Sequence, residues 1–488
     1  MKVLAFDFGA SSGRAIIGSF ENNKIRLEEV HRFDNDPVLV DKSFYWDILR
    51  LFHEIKQGIV KAKNTTDFES IGIDTWGVDF GLLTKASDLI GNVYNYRDER
   101  TVGTTQDIES VISNKELYEL TGIQIVELNT IFQLYAFMKQ KPELVGLVDK
   151  VLLVPDLFNY FLTGKMAAEV SIASTTQLLD PYTKQWAYPV MDKLGLKREW
   201  FPEVIPAGTI LGPLKESICD ELGIDGKNVV AVCEHDTASA VVAVPTTEKD
   251  FVFISCGTWS LFGTELDSPV VSDLSLKYNV TNEVGYNNTT RFLKNIIGLW
   301  MIQETRRQFK REGKDYSYAK MEELARAEAP FKCFIDPDAP QFVTPGNMPQ
   351  KIKDFCKSTG QYVPQNDGQV IRCIYESLAM KYKYTFEQLK ECCNKDFAVI
   401  HMVGGGTKDT FLCQMTADAA NVPVVAGPIE ATAAGNVAVQ LIANGQISDI
   451  WEARKIIADS FDVVRYNVND NTVWEKAYPE FLKVLCKK

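Results

Sequence analysis

The amino-acid sequence predicts an α/β protein of two similar domains with a cleft between them, on three observations. β-rich apolar runs alternate with amphipathic helical stretches, the pattern of stacked strand and helix layers. A unit of strand, small-residue turn and strand opens the chain, and a second such unit begins at Asp250. The 488 residues also exceed what one hydrophobic core usually sustains.

The elements follow in order. VLAFDFG and RAIIGSF read as two strands around ASSG, and KIRLEEVHRF from Lys24 as a third. A helical segment from about Asp47 to Lys63 leads to a fourth strand, SIGIDTWG, from Ser70. A helix-rich and loop-rich region runs to about Gly195, and NVVAVCEHD from Asn228 is a buried strand that breaks into the small-residue helix TASAVVAV. From Asp250, DFVFISC, GTW and SLFGTEL repeat strand, turn and strand. FAVIHMVGGGTKDTFLCQMTADAA is then strand, glycine turn and helix, an echo of SIGIDTWG. The copies share almost no identities, so the repeat is structural. The short polar stretch VPTTEKD from Val244 reads as the hinge, giving domains 1–243 and 244–488.

Composition narrows the function. Apolar residues are 45% and charged residues 24% of the chain, an ordinary globular balance. A net charge of −13 with no basic stripe argues against a nucleic-acid partner. An anionic ligand needs local donors: backbone N–H groups, a few Arg or Lys, or a metal ion. MKVLAFDFG runs straight into a strand without the pattern of a signal peptide. Apolar stretches such as VLLVPDLFNYF are broken by Pro and Asp well short of the roughly 20 residues a span needs, so a cytoplasmic protein without a membrane partner is expected. The ten cysteines form no C-x-x-C cluster, so a structural zinc is not expected, and Cys356 with Cys373 is a candidate oxidisable pair.

Five motifs carry chemistry, each with a plainer reading beside it. In Asp7-Phe8-Gly9-Ala10-Ser11-Ser12-Gly13-Arg14, small residues let backbone N–H groups approach an anion. There Asp7 can hold Mg²⁺, directly or through water, and Arg14 can fork onto a phosphate. The plainer reading is a β-hairpin. Gly257-Thr258-Trp259-Ser260 is the same device, with a hydroxyl that can bond a phosphate or only its own turn. Val403-Gly404-Gly405-Gly406-Thr407 lets a ligand lie against the main chain near a helix start, or is simply a loop. It matches neither the Rossmann nor the Walker pattern. In Glu234-His235-Asp236-Thr237-Ala238, an Asp ahead of an apolar helix reads as an N-cap, with a general base as the sharper reading, and the two roles are compatible. His31, His53 and His401 read as structural. In Asp74-Thr75-Trp76-Gly77-Val78-Asp79-Phe80, Trp76 can stack on a sugar or sit in the core.

Taken together, these residues resemble the FGGY carbohydrate kinases, and within that family the members that phosphorylate L-rhamnulose at O1. The likeness runs in order through GASSGR at Gly9, EVHRF at Glu29, IGIDTWGVDF at Ile71, YRDERT at Tyr96 and TGIQ at Thr121. It continues through EHDTASAV at Glu234, SCGTWSL at Ser255, LKNIIGLWMIQE at Leu293 and GPIEATAAGN at Gly427. The resemblance implies the two-domain actin-like (ribonuclease H-like) ATPase fold, with sugar and base in the first domain and nucleotide in the second. It implies that Ala10, Ser11, Ser12, Gly13 and Arg14 line the ATP phosphates, and that Thr258, Gln303 and Gly405 also contact ATP. Gly77, His235, Asp236, Thr237 and Asn295 would contact the sugar, and Asp236 would be the catalytic base. Related ketoses such as L-fuculose or xylulose are the nearest alternatives, and a non-enzymatic nucleotide switch on the same fold is a third. One position departs from the wider family: where many members carry an asparagine three places beyond the glycine run, this chain has Asp409.

Overall fold

The computed structural model describes residues 1–485. Contacts divide them into two compact units, each built from more than one stretch of chain. The first unit takes Met1–Thr247, Glu265–Phe292 and Ala431–Phe461; the second takes Glu248–Thr264, Leu293–Glu430 and the chain from Asp462 onward. The first crossing thus lies in the polar stretch after Val244, and two later stretches return to the first unit.

Along the chain, the elements that position the site are β1 (Lys2–Phe8), β2 (Ser12–Glu21), β3 (Lys24–Asp34), α1 (Ile48–Thr65) and β4 (Ser70–Thr75). Then come β5 (Thr209–Pro213), β6 (Asn228–Ala231), α2 (Asp236–Val242), β7 (Val252–Cys256), β8 (Trp259–Leu266) and α3 (Trp300–Arg311). The last are β9 (Ile400–Val403), α4 (Thr410–Ala420), β10 (Val424–Ala426), α5 (Ala431–Ala443) and β11 (Val464–Tyr466).

In the first unit the sheet order is β5–β6–β4–β1–β2–β3. The β1–β2 pair is antiparallel, from Lys2 opposite Ser19 to Phe8 opposite Gly13, while β1 and β4 run parallel, from Leu4 beside Ile71 to Phe8 beside Thr75. Strand β6 is parallel to β4 as well. Central strands covered on both faces read as continuous apolar runs, and β4 is buried at every position. Asp47 caps α1 by accepting from the Arg50 N–H, and the helix buries Ile48, Leu51, Ile55, Ile59 and Ala62 along one face. Between β4 and β5 the chain builds its own apolar cluster around Leu117, Phe132, Leu134, Met191 and Trp200.

Helix α5 lies on this sheet through polar contacts. The Gln440 amide donates to the Leu4 carbonyl at 3.1 Å, and the Ser70 hydroxyl donates to Gln440 at 2.7 Å. Its small residues permit close approach: a Cβ on Gly435 would sit 1.7 Å from the Ser239 carbonyl oxygen of α2.

The second unit repeats the arrangement. Within the seven-stranded sheet the run is β8–β7–β9–β10–β11. Strand β7 pairs antiparallel with β8 and parallel with β9, as β1 does with β2 and β4. Glycine turn and helix follow β9 as the sequence predicts.

Candidate active site

Parallel strands deliver their C-terminal ends to one edge, and in the first unit those ends are acidic. Asp7 and Asp74 are register partners on β1 and β4. Thr75 bridges to His235, and the Thr75 N–H donates to the Glu234 carbonyl at 2.9 Å. Three of the sequence motifs therefore meet at one sheet edge. Asp7 forms a hydrogen-bonded ion pair with Arg14, its register partner on β2. The turn between them is tied by Asn35, whose side chain donates to the Gly9 carbonyl at 2.8 Å and whose N–H donates to the Ser11 carbonyl at 3.2 Å. Ser11 is exposed and Ala10, Ser12 and Arg14 are half-buried, so the turn is open on its outer side.

Crowding of like charge shows in the carboxyl groups. Burial holds Asp74 well above the usual carboxylate range, the Asp7 charge adds to this, and the Asn436 amide, donating at 2.6 Å, opposes it. Asp236 is also pushed up, chiefly by burial and secondarily by Asp7, against the pull of His235. Even so, 32% of its side chain is open to solvent, while Glu234, His235 and Thr237 are buried.

The structure bears on the N-cap reading of Asp236. Helix α2 starts at Asp236 itself, and His235 occupies the N-cap with an extended backbone and no side-chain cap. The Asp236 carboxylate instead accepts from the adjacent Thr237 N–H at 2.5 Å and the Thr237 hydroxyl at 3.2 Å. Asp236 is not the N-cap. Beside it, His235 Nε2 lies 3.4 Å from Asp236 Oδ1, and Nδ1 lies 3.1 Å from the Arg291 guanidinium. The Glu283 carboxylate also lies 3.3 Å from Nδ1, so this face of the ring meets both a donor and an acceptor. Arg291 is fully buried, pairs with Glu283 at 3.2 Å and donates to the Val284 carbonyl. Sequence reasoning missed Arg291 and Glu283, because nothing local connects them to His235.

The DTWGVD motif lies in a wall of the same unit. Trp76 is 5% exposed, its ring centroid is 4.2 Å from that of Trp46, and both indole N–H groups donate to Asp79 Oδ2. Gln133 donates to the other Asp79 oxygen at 2.9 Å. Burial pushes the Asp79 carboxyl up to about 6 against these bonds. Gly77 is half-buried beside Thr175, and the next residue, Val78, has φ +67°. A β-branched residue in that region is strained, and here Thr175 and Thr130 bond its N–H and its carbonyl.

In the second unit, Thr258, Gln303 and Gly405 come to the corresponding strand ends. The start of α3 rests on the β7–β8 turn: the Trp300 N–H donates to the Thr258 carbonyl at 3.0 Å, and the Thr258 hydroxyl is 3.5 Å from Gln303 Oε1. Gly404 has φ +89° and a Cβ there would lie 3.1 Å from the Cys256 carbonyl, so the glycine turn lies against the end of β7. Gly405 is exposed, with open space where a side chain would go. Asn295 is half-buried on the strand Thr290–Ile297. Asp409, the departure from the family pattern, caps α4 by accepting from the Leu412 N–H at 3.0 Å.

Among the described residues, one group of three or more potential metal-ligand atoms lies within 4.8 Å, and it is Cys333, Cys356 and Cys373, all buried and free of disulfides. Their separation in sequence hid this cluster. Among the described residues, Asp7 belongs to no such group.

Two family models cover the chain: the N-terminal domain of the FGGY family of carbohydrate kinases matches residues 2–243, and the C-terminal domain matches residues 252–444. The chain belongs to the FGGY family of carbohydrate kinases. This sugar kinase is 43% identical to a protein named rhamnulokinase from Oceanobacillus iheyensis, covering 95% of this chain and 97% of that one. It is 41% identical to the rhamnulokinase of Bacteroides thetaiotaomicron, covering 98% of each chain. Among solved structures it is similar to a xylulose kinase from Lactobacillus acidophilus, with TM-score 0.83, 17% identity and coverage of 99% of this chain and 97% of that one. Plasmodium falciparum glycerol kinase with ADP matches with TM-score 0.79 and 14% identity, covering 100% of this chain and 98% of the other. At those identities the solved structures speak for the fold, the two-domain actin-like architecture of sugar kinases. No described helix of the kinase is long and apolar enough to cross a membrane.

Proposed function

We propose that this kinase transfers the γ-phosphoryl group of ATP to O1 of L-rhamnulose, with Asp236 as the base. The names of relatives at about 40% identity over nearly the whole chain support the substrate. The observation that carries the mechanism is Asp236: in a buried segment it alone presents an open carboxylate, with His235 Nε2 3.4 Å from it.

Phosphoryl transfer asks a protein mainly to position reactants and to offset spread negative charge. His235, Thr237, Gly77 and Asn295 orient the ketose, with Trp76 as the wall behind Gly77. Asp236 accepts the O1 proton as that oxygen attacks phosphorus and the bond to ADP breaks. Backbone N–H groups of Ala10, Ser11, Ser12 and Gly13 are donors for the ATP phosphates, and Thr258, Gln303 and Gly405 are nucleotide contacts. Kinases of this family use ATP with a divalent metal ion. The Asp7 carboxylate fits Mg²⁺, since such ions are commonly held by one or two carboxylates plus substrate phosphates, and the crowding of Asp7 with Asp74 favours a cation. A bound Mg²⁺ supplies charge neutralisation at the phosphates. Arg14, now paired with Asp7, is the group that can turn to the γ-phosphate. We place the reaction in the cytoplasm, with small molecules as its partners.

An ADP-release assay over L-rhamnulose, L-fuculose, xylulose and ribulose, with and without Mg²⁺, tests this reading. L-Rhamnulose should exceed every other ketose by about 10-fold or more in kcat/KM, the discrimination expected when bonded hydroxyls are misplaced. A different ketose in first place would reassign the substrate, and sugar-independent ATP consumption would end the kinase mechanism.

A further inference from the structure

Behind the segment that presents Asp236, three carboxyl side chains occupy one interior: Asp156 at 4% exposure, with Glu169 and Glu234 at 0%. Of the three, only Glu234 touches the site described above, and it does so through its backbone carbonyl. Three acids are costly to bury, at several kcal/mol for each unpaired charge, so their bonds should account for their presence.

Glu169 stands at the N-cap of the short helix Val170–Ser174, where its Oε2 accepts from the Ile172 N–H at 3.1 Å. A Ser or Asp does that task equally well. The same oxygen also accepts from the Ser171 hydroxyl at 2.6 Å and, across 65 residues of sequence, from the Glu234 N–H at 3.1 Å. Ser171 Oγ in turn accepts from the His235 N–H at 3.3 Å. The two consecutive backbone N–H groups just before Asp236 are therefore held by one carboxylate, one directly and one through Ser171. The other two acids support this frame. Asp156 Oδ1 accepts from the Glu169 N–H at 3.0 Å, and the Asn159 amide donates to Glu234 Oε1 at 2.6 Å. Burial pushes both Asp156 and Glu234 well above the usual carboxylate range.

We propose that Glu169 is a positioning residue for the phosphoryl transfer: through the Glu234 N–H and through Ser171 it fixes the stretch of backbone that aims the Asp236 carboxylate. The inference rests on Asp236 being the base. It explains why the one open carboxylate of the segment follows two residues whose main chain is fastened to the interior rather than to solvent.

The test uses the full-length enzyme. Glu169→Ala should lower kcat by about 30-fold or more with KM for ATP unchanged, because small misplacements of a reacting group can remove about 10²-fold in rate. Glu169→Gln keeps an acceptor oxygen for the three donors and should restore kcat to within about fivefold. Glu234→Gln keeps the backbone N–H that Glu169 holds and an oxygen for the Asn159 amide, and should stay within about threefold. Amide hydrogen exchange over residues 232–238 should quicken in Glu169→Ala and return towards wild type in Glu169→Gln. Glu169→Ala with kcat within threefold of wild type, or with unchanged exchange over that segment, overturns the proposal. A fall in kcat matched by the fraction of protein unable to bind an ATP analogue also overturns it, since that is a folding defect. If Glu169→Ala does not fold, Ser171→Ala decides: unchanged kcat together with unchanged exchange at the His235 amide refutes the clamp. Asp236→Asn is measured alongside. Should that variant keep its turnover, the base assignment has failed, and the exchange data still report whether Glu169 holds the segment.

Discussion

The two hairpins of this kinase share a backbone and differ in chemistry. In the first, β1 ends in Asp7, the return strand answers with Arg14, and the neighbouring parallel strand adds Asp74. In the second, β7 ends in Cys256, the return strand carries Ser260 opposite it, and the neighbouring strand ends in Val403 before a glycine turn. One sheet edge is charged and the other neutral. A repeated fold thus supplies two different surfaces: one suited to protons and a hard cation, the other suited to close backbone contact with a nucleotide. The contrast is in the side chains at the strand ends, since the pairing directions are the same.

The largest test of the charged edge is Asp236→Asn. Removing a placed base should lower kcat by about 10²- to 10⁴-fold while ATP binding and thermal stability stay near wild type. Steady-state turnover beside ATP-analogue titration measures this, and a variant keeping more than about a tenth of wild-type kcat would remove Asp236 from that role.

Next in size is a stability effect of a buried acid in the first unit. Asp79 holds its proton up to about 6 in the folded protein, against an ordinary 3.8. The folded state then binds more protons than the unfolded chain between those values. The resulting stabilisation is fully present below about pH 4, fades as pH rises to about 6, and is absent above that. A difference of this size corresponds to about 3 kcal/mol. Asp79→Asn cannot titrate, so the stability gap between it and wild type, from denaturant melts across pH 4–8, should change over that window and be flat above it.

Arg14→Ala and Thr258→Val set the two hairpins against each other directly. Loss of the charged contact should lower kcat with ATP by about 10- to 100-fold, and loss of the neutral hydroxyl should raise KM for ATP by about three- to tenfold, in line with charge-assisted bonds being roughly twice as strong. Equal effects would mean that the edges do not differ in function. If Arg14→Ala raises only the KM for the sugar, its phosphate role is wrong.

How much of this was legible in the sequence depended on range. The strands, both hairpins, the helix after Asp236 and the glycine turn after β9 all announce themselves through local periodicity and small residues. Grouping of Asp7, Arg14 and the Gly9–Gly13 turn was equally readable, because one hairpin carries them all. The rest depends on contacts between distant residues. Asn436 reaches Asp74 across 362 positions, Arg291 reaches His235 across 56, and Glu169 reaches Glu234 across 65. No window of sequence contains both partners. Capping at Asp236 was misleading for a related reason: an Asp before an apolar helix is also what a cap looks like, and only the backbone shows that the helix already includes it.

The smallest effect is expected at the glycine run, where neighbouring positions should behave differently. A methyl group at Gly405 meets nothing within 4 Å, whereas one at Gly406 would lie 2.2 Å from the Cys256 sulfur. Gly405→Ala should therefore fold with an unchanged melting temperature and raise KM for ATP by only about two- to threefold, because the methyl occupies space a nucleotide would use without displacing any protein atom. Gly406→Ala should lower the melting temperature, because the end of β7 must shift to admit it, and any change in its ATP affinity would follow from that movement. Thermal melts and ATP titrations on the pair separate the two effects. A Gly405→Ala enzyme with unaltered nucleotide affinity would show that the neutral edge meets its ligand elsewhere on the turn, and would narrow the contrast with the charged edge to Thr258 and Gln303.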